Sequence, residues 1–439
     1  MVSEGSRLIM PGYRQIIKNI EARGIMPETA PSLLPMQQAL ARILAPSDFQ
    51  PEKTILVAGT NGKGSVCATL ESLFLAAGET VGLYTSPHLE ETTERFRING
   101  KEISQELFCQ AYLEVSSKTQ DLPLSHFEVL TLMAAWLFFS GEALAPVDHP
   151  LFEVGLGGLW DATNAIPHRN CIITSLGYDH QNLLGNTLEE IAINKFGIVG
   201  SGATVVFSPF PPEAQEPLLA LAKTVQTETH SQWTQSVPFE FSVLDAEGPG
   251  HAPWDEPQFI INTQWGKAPL SLAGERAAQN TATALTFFAQ LGHDPSAYLS
   301  TLKQIKWPGR MERIAGAKPC PTYLSGDHNP QGADSLVQLL KHYKRNRLYI
   351  LAGIGKDKDS DGILTPLFSL KNTSIFLTET PFKGRAVEDY GQWNQRAADT
   401  SKDSIALLRK IQDLATPDDM IVVTGSLYLV GQLRSKILA

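Results

Sequence analysis

The sequence is poor in cysteine and has no long apolar run. Its four cysteines, Cys67, Cys109, Cys171 and Cys320, lie far apart and form no C-x-x-C pair. This spacing argues against a disulfide framework or a cysteine-based zinc site and favours a reducing compartment, with the cytoplasm as the expected location. The longest apolar stretch, "LTLMAAWLFF", has about half the length of a membrane-spanning helix. It therefore predicts a buried helix.

Positive charge is also scarce. With 36 lysines and arginines against 46 aspartates and glutamates, the chain has a net charge of -10. This charge argues against a broad nucleic-acid surface or an anionic membrane as a partner, so small molecules are expected. The first residues show no cationic start followed by an apolar core, so neither a signal peptide nor an anchor is expected. No low-complexity tract or fixed repeat interrupts the 439 residues, and this length predicts two packed domains.

Strand and helix patterns alternate through the first half of the chain. The run "TILVA" meets a glycine-rich turn and then a helical pattern that closes on Gly78. Further strands are expected at "TVGLYTS", "HPLFEVGLGG" and "NCIITSLGYDH", and a helix at "FEVLTLMAAWLFFSG". The alternation predicts an α/β fold with a P-loop-type, mostly parallel sheet flanked by helices. Ligands of such sheets bind at the carboxyl edge of the strands, where the polar side chains gather here.

The pattern changes twice in the second half. From about Pro209 to Ser271 it loosens into short alternating runs, which predict a small antiparallel β insert. A helix is expected over residues 276–292, and a connector follows it. A second series from "TYLSGDHNP" to "MIVVTGSLYLVGQL" predicts a smaller C-terminal Rossmann-like α/β domain. The predicted domains are residues 1–304 and 305–439.

The loop "VAGTNGKGSV" has the composition of a phosphate-binding turn, although Gly64 stands between Lys63 and Ser65 and departs from the usual P-loop spacing. Its glycines allow backbone amides to converge on an anion at a helix N-terminus. Lys63 would neutralise phosphate oxygens, and the Ser65 hydroxyl would bond a phosphate or a metal-bound water. The alternative is a tight glycine turn with an exposed lysine. Placement between an apolar strand and a helix favours phosphate binding.

Four other side chains gave weaker signals. Glu153 ends an apolar run, where a buried carboxylate favours a cation such as Mg²⁺ or, equally, backbone amides of the turn "VGLGG". His180 ends a strand at the same edge, and a structural role is the simpler reading. Asp179 is expected to cap the next segment. Lys195 lies in an acid-rich helical stretch and is expected from the residues alone to be solvated.

Taken together, an ordered set of motifs resembles the folylpolyglutamate synthase and dihydrofolate synthase family of the Mur ligase superfamily. The motifs are "GTNGKGS", "YTSPHL", "ERFRING", "FEVGLGGLWDATN", "TSLGYDH", "LGNTLEEIA", "NKFGI", "PGRMER", "DHNPQGA", "GKDKD" and "TGSLYLVG". The resemblance implies ATP-dependent joining of L-glutamate to dihydropteroate, to folates, or to both. ATP first phosphorylates the acceptor carboxylate, and the amine of glutamate then displaces phosphate. Such chemistry relies on alignment and charge neutralisation rather than on an enzyme nucleophile.

The same resemblance implies ATP and two Mg²⁺ ions, carbamylation of Lys195, and a pterin site bordered by residues 85–97 and Phe127. The residues implied for phosphate binding are Gly59, Thr60, Asn61, Gly62, Lys63, Gly64 and Ser65; for the metal, Ser86, Glu153 and His180; for catalysis, Lys63, His180, Lys195 and Arg310; and for the remaining nucleotide contacts, Asn280, Arg310, Ser325 and His328.

The chain departs from the family pattern at several positions. Ser325 stands where the family has a nucleotide-contacting aspartate, Arg276 and Ala277 where it has histidine and glutamine, and Leu159 where it has arginine. An active ligase that works as a monomer is expected. The alternatives are a nucleotide-binding member with an altered acceptor or lost activity, and a muramyl peptide ligase. The muramyl reading is disfavoured, because too few residues precede "TILVAGTNGKGS" for an additional UDP-binding domain.

Overall fold

The larger of two parallel sheets organises the first three fifths of the chain. The computed structural model describes residues 12–24, 31–244 and 256–437. The sheet has eight strands in the order β4-β3-β2-β5-β1-β6-β7-β8. Six of them, β2, β5, β1, β6, β7 and β8, run parallel, and β3 and β4 pair antiparallel at one edge. The strands are β1 (Ile55–Ala58), β2 (Val81–Tyr84), β3 (Phe96–Ile98), β4 (Lys101–Glu102), β5 (His149–Glu153), β6 (Asn170–Ile173), β7 (Thr204–Phe207) and β8 (Gln232–Gln235). The predicted mostly parallel sheet is confirmed.

Helices cover both faces of this sheet. They are α1 (Tyr13–Glu21), α2 (Leu34–Ile43), α3 (Lys63–Ala76), α4 (Gln105–Thr119), α5 (His126–Phe139), α6 (Gln181–Leu184), α7 (Leu188–Phe196), α8 (Gln215–Thr229) and α9 (Glu275–Gln290). Alternate residues of β1 serve opposite faces: Ile55 and Val57 pack with α3 and α9, whereas Leu56 and Ala58 pack with α5. The apolar run predicted to be a buried helix is confirmed as the interior of α5, whose Trp136 has no exposed surface.

The predicted antiparallel insert is confirmed in part. Three strands form it, in the order β11-β10-β9: β9 (Glu240–Leu244), β10 (Gln258–Thr263) and β11 (Gly266–Leu270). The prediction was wrong for the preceding residues, because α8 and β8 complete the main sheet there. Only Leu218 and Ala222 are buried on α8, so its apolar periodicity is too weak to read from the sequence. Residues 245–255 of the predicted insert, like residues 1–11, lie outside the described residues.

The second of the two large sheets follows this insert, with six strands in the order β12-β13-β17-β14-β15-β16. The strands are β12 (Arg310–Arg313), β13 (Thr322–Ser325), β14 (Leu348–Gly353), β15 (Thr373–Thr378), β16 (Asp399–Ser401) and β17 (Met420–Thr424). Its helices are α10 (Pro330–Leu340), α11 (Ser360–Phe368), α12 (Gln392–Arg396), α13 (Ser404–Leu414) and α14 (Leu427–Arg434). The C-terminal α/β unit is confirmed, but the end of the predicted connector is the antiparallel edge strand β12.

The two sheets are joined by a continuous core and by one loop of the first domain. Buried side chains from α3 and α9 form a single cluster with those of α10 and β14. The loop after β2 lies against α14, since a Cβ on Gly431 would stand 1.9 Å from the Leu89 carbonyl oxygen. Arg434 of α14 also pairs with Glu90 at 2.6 Å. Within the described ranges, no helix is both long and apolar enough to cross a membrane.

Candidate active site

The glycine loop between β1 and α3 has the backbone of an anion-binding turn. Gly59 and Gly62 have φ of +147° and +93°, values that disfavour a side chain. A Cβ would also stand 1.8 Å from Thr174 Oγ1 at Gly59 and 2.2 Å from Asn280 Oδ1 at Gly62. No side chain caps α3 at Gly62, so its first amides are free for a ligand. The loop is therefore a preformed site for an anion at a helix N-terminus.

Neighbouring elements hold this loop from three sides. Thr60 donates its hydroxyl to the Gly177 carbonyl at 3.0 Å beyond β6. Buried Asn280 of α9 lies against the loop, and a Cβ on Gly64 would stand 2.7 Å from the indole nitrogen of Trp307. Ser65 is buried in the first turn of α3. The residues predicted to contact phosphate thus form one compact turn, with Asn280 beside it.

Two lysines converge on the same carbonyl of this loop. Lys63 donates to the oxygens of Gly59 and Thr60 at 3.2 and 3.3 Å, and Lys195 donates to the Gly59 oxygen at 2.9 Å. The expectation of a solvated Lys195 is wrong, because this side chain is 4% exposed and lies on the buried face of α7 with Ile191. Burial and the nearby charge of Lys63 lower the pKa of Lys195 to about 7.

Glu153 is buried at the end of β5. Its carboxylate accepts the backbone amide of Ser86 at 3.0 Å. The alternative that it binds amides of the following turn is wrong, because the Leu156 amide bonds Asp161 instead, at 2.9 Å. Burial raises the pKa of the Glu153 carboxyl, whereas the charges of Lys63 and Arg310 oppose this shift. A buried carboxylate of this kind favours a cation beside it.

The predicted metal ligands are only partly brought together. Ser86 and Glu153 adjoin and offer the oxygen ligands that Mg²⁺ prefers. His180, with φ of +51°, lies in a different set of contacts, where its Nε2 is 3.2 Å from Lys358 Nζ. Among the described residues, no three His, Cys, Asp or Glu side chains could hold a metal by themselves. Mg²⁺ would fit at Ser86 and Glu153 with phosphate and water oxygens completing its ligands, and it would neutralise phosphate charge there.

Asp179 is the centre of a polar network between the domains. Its carboxylate pairs with Lys358 at 2.5 Å and His328 at 3.4 Å, and it accepts from Asn329 at 3.2 Å. Burial acts to raise the pKa of Asp179, but the hydrogen bond from His328 and the charges of His328 and Lys358 hold it well below its ordinary value. Burial also lowers the pKa of His180 to about 4. The expected role of Asp179 as a local cap misses these long-range partners.

The phosphate loop itself bonds the second domain. The side-chain Nδ2 of Asn61 donates to Gln331 Oε1 at 2.6 Å, and the Asn61 Oδ1 accepts from Asn329 Nδ2 at 3.0 Å. Arg276 of α9 donates to the Gln331 carbonyl oxygen. The sequence did not single out Asn329, Gln331 or Lys358, although they lie in the quoted motifs "DHNPQGA" and "GKDKD". Their partners are more than 50 residues away in the chain, and no local pattern identifies them.

Arg310, Ser325 and His328 lie together at the edge of the second sheet. Arg310 is the register partner of Ser325 between β12 and β13, and its guanidinium donates to the Gly326 carbonyl at 3.4 Å. The same carbonyl lies 2.9 Å from His328 Nδ1. The buried Ser325 hydroxyl donates to the Asp327 carboxylate at 2.6 Å. A carboxylate is therefore present at this edge, although Ser325 itself carries no charge.

Comparison with known proteins identifies the class and then the family. The model of the Mur ligase glutamate ligase domain matches residues 309–427, and this match and the fold define an ATP-dependent ligase of the Mur ligase class. The chain is 30% identical over 427 residues to the dihydrofolate synthase/folylpolyglutamate synthase of Bacillus subtilis, covering 93% of this chain and 95% of that protein. It belongs to the dihydrofolate synthase/folylpolyglutamate synthase family.

Two solved structures show the same architecture over the whole chain. Escherichia coli FolC in complex with DHPP and ADP has a TM-score of 0.80 at 28% identity, covering 97% of this chain and 98% of that one. The bifunctional synthase of Yersinia pestis with AMPPNP and a Mn ion has a TM-score of 0.81 at 26% identity, with both chains covered fully, at 100%. Each binds an adenine nucleotide, and the second also binds a divalent ion.

Proposed function

We propose that this protein is a bifunctional ligase that joins L-glutamate to dihydropteroate and to folyl-polyglutamates through an acyl phosphate. One observation carries the proposal: a glycine turn with the geometry for an anion, which includes Lys63, lies beside the buried Glu153 and its partner Ser86. Phosphoryl transfer needs a loop that binds the phosphates. It also needs a metal ion, held by a carboxylate, that neutralises the phosphate charge. The names of the relatives supply the acceptor and the amino acid.

The reaction would occur in two displacements. An oxygen of the acceptor carboxylate attacks the γ-phosphorus of ATP, the bond to the β-phosphate oxygen breaks, and ADP leaves. The amine of glutamate then attacks the acyl carbon, inorganic phosphate leaves, and the amine releases a proton. Lys63 and the amides of residues 59–65 would hold the β- and γ-phosphates. Arg310 would stabilise the transferring group from the second domain, and Asn280, Ser325 and His328 would contact the nucleotide.

We assign the divalent ion to Ser86 and Glu153, and a second ion to the side of the site that carries His180. For His180 to bind it, the ammonium of Lys358 would have to leave its present place 3.2 Å from His180 Nε2. Rotation of the Lys358 side chain or movement of one domain against the other would separate Lys358 from Asp179. The second ion is therefore expected to bind only after Lys358 has moved away from His180.

Carbamylation of Lys195 is also proposed. Its pKa of about 7 leaves a large neutral fraction at neutral pH, and only the neutral amine reacts with CO₂. The amine nitrogen bonds the CO₂ carbon and loses one proton, which gives an anionic carbamate. Isotope-labelled bicarbonate should produce a carbamate carbonyl signal by NMR in the wild-type protein and none in Lys195→Met. The same signal in both proteins would contradict the assignment.

The direct test of function is incorporation of labelled glutamate. The protein is incubated with ATP, Mg²⁺ and labelled L-glutamate, with dihydropteroate or tetrahydrofolate as the acceptor. Product with both acceptors supports the bifunctional ligase, and product with one restricts the function to that acceptor. No product with either contradicts the proposal. The second candidate, a nucleotide-binding protein without turnover, is favoured by Ser325 and Arg276 and would show ATP binding by calorimetry without product.

Three further assignments accompany the proposal. The domains are residues 1–304 and 305–439, supported by the start of the second sheet at Arg310. A monomer is also proposed, which is compatible with a site in which Lys63 and Arg310 of the same chain both act on Glu153. Its location is the cytoplasm, supported by four free cysteines.

A further inference from the structure

Arg95 is a buried cation that the proposed reaction has not yet used. It ends the 3-10 helix Thr92–Arg95 in the loop after β2, and it is 8% exposed. Among the described residues, its guanidinium donates from Nε to His88 Nδ1 at 2.9 Å and forms no ion pair with a carboxylate. A buried guanidinium without a counter-ion is costly, and proteins keep such groups where a ligand supplies the anion.

The side chains around Arg95 do not neutralise it. His88 Nδ1 accepts the hydrogen bond from Arg95 Nε, so this nitrogen carries no proton. Burial and the charge of Arg95 lower the pKa of His126 to about 4. Both imidazoles are therefore uncharged at neutral pH. Burial also raises the pKa of Tyr84, so its phenol is neutral as well. The charge of Arg95 acts on the Glu153 carboxylate, but the two side chains form no ion pair among the described residues, so the guanidinium can still pair with an anionic ligand.

Arg95 also lies near two features, an aromatic wall formed by Tyr84 and Phe127 and the proposed phosphoryl-transfer site at Glu153. The rings of Tyr84 and Phe127 are 5.9 Å apart, and a Cβ on Gly155 would stand 2.6 Å from the Phe127 ring. Gly155 follows Glu153 by two residues. The charges of Lys63, Arg310 and Arg95 all act on Glu153. Lys63 and Arg310 are assigned to the phosphates, which leaves Arg95 on the side of the aromatic wall.

We propose that Arg95 binds the acceptor carboxylate and holds it for attack on the γ-phosphate, with the hydrogen bond to His88 Nδ1 fixing the guanidinium. This inference rests on the proposed function. The carboxylate and the γ-phosphate are both anions and repel each other, so each needs its own cation to approach within reacting distance. An arginine suits this role, because its planar fork can grip both carboxylate oxygens while an aromatic wall holds the rings attached to them.

The test compares binding of dihydropteroate with that of its carboxamide, in the presence of ADP and Mg²⁺, so that no turnover is needed. The wild-type protein should prefer the acid by roughly 100-fold, since removing one partner of a desolvated charge pair has this order of effect. Arg95→Met should bring the two affinities close to parity. Arg95→Lys, which keeps the charge, should restore part of the preference. Affinity for ADP should be unchanged in both variants, which shows that they are folded.

Arg42→Met is the control, because Arg42 is an exposed arginine on α2 of the same domain and pairs with Asp121 at 2.5 Å. It should retain the preference for the acid. A preference that persists in Arg95→Met would overturn the assignment of Arg95 and leave the proposed function standing. If the wild-type protein binds ADP but neither pteroate compound, the proposed acceptor is wrong and the role of Arg95 fails with it.

Discussion

The carboxyl edges of the two large sheets carry very different groups. The edge of the first sheet carries buried groups that are held within its own domain, such as Lys195 on the Gly59 carbonyl and Glu153 on the Ser86 amide. The edge of the second sheet carries Lys358 and Gln331, which reach across to Asp179 and Asn61. One edge is preformed, and the other depends on contact with its neighbour.

This difference indicates a division of labour. The proposed phosphate loop of the first domain has its geometry set by β1, α3 and α9, within that domain. The second domain adds charge to that site only when the domains face each other, because Arg310 of that domain acts on Glu153. Substitutions at the first edge should therefore affect nucleotide binding and turnover, whereas those at the second should affect turnover more than binding.

The largest effect is expected at the first edge. Lys63→Met removes the cation that faces the phosphates and should lower kcat/KM for ATP on the order of 10³-fold. Calorimetry should show weaker ATP binding as well. Lys101→Met, which removes an exposed lysine on β4, is the control and should behave as the wild-type protein. Unchanged ATP affinity in Lys63→Met would contradict the assignment of the loop.

Arg310→Met should lower kcat by about 10²-fold while leaving the affinity for ADP nearly unchanged. The reason is that Arg310 belongs to the second edge and acts on the transferring group. Arg313→Met on the same strand is a matched control, because Arg313 is exposed and pairs with Glu256 at 3.3 Å instead. An equal loss in the two variants would show that the strand, rather than the Arg310 charge, is responsible.

A smaller effect is expected where the two edges touch. Gln331→Ala removes one of the two acceptors of the Asn61 side-chain amide and should reduce kcat about tenfold, since this half-buried group then keeps only its contact with Asn329. Gln338→Ala on the exposed face of the same helix should have no effect. The comparison is made by steady-state kinetics at saturating ATP. Equal rates for all three proteins would mean that the Asn61–Gln331 contact does not contribute to turnover.

The smallest effect concerns stability. The pKa of Lys195 is lowered from 10.5 to about 7 by burial, so between these values the unfolded chain binds more protons than the folded one. Wild-type stability therefore rises with pH across this range. Lys195→Met should gain about 1 kcal/mol at pH 6, with the gain shrinking towards pH 10, while activity is lost. Denaturant unfolding at several pH values measures this, and Lys223→Met on exposed α8 should show no gain.

The sequence was sufficient for features that depend on local pattern. Alternation of strands and helices predicted both sheets, and the glycines at 59 and 62 predicted a turn that the structure confirms as too tight for side chains. The sequence was insufficient where burial depends on which face of a helix packs against the domain. The acids of α7 lie in its first turn, so they gave no sign that Lys195, the last residue but one of the helix, faces inward.

Contacts between the domains could not be predicted for a different reason. Asp179 and Lys358 are separated by 179 positions, and Asn61 and Gln331 by 270. Nothing in either local segment states which distant segment it will meet. Arg95 was included only as part of a loop expected to border the pterin, because a lack of charged partners becomes visible only when the surrounding elements are assembled.

The clasp between the loop after β2 and α14 has a mechanical consequence. The Leu89 carbonyl leaves no room for a side chain at Gly431, and Glu90 forms an ion pair with Arg434. We therefore expect this loop to move together with the C-terminal domain. Arg95 and His88 belong to the same loop. Any hinge that separates the sheets must pull on the residues that would grip the acceptor. Release of product and opening of the molecule would then be one event.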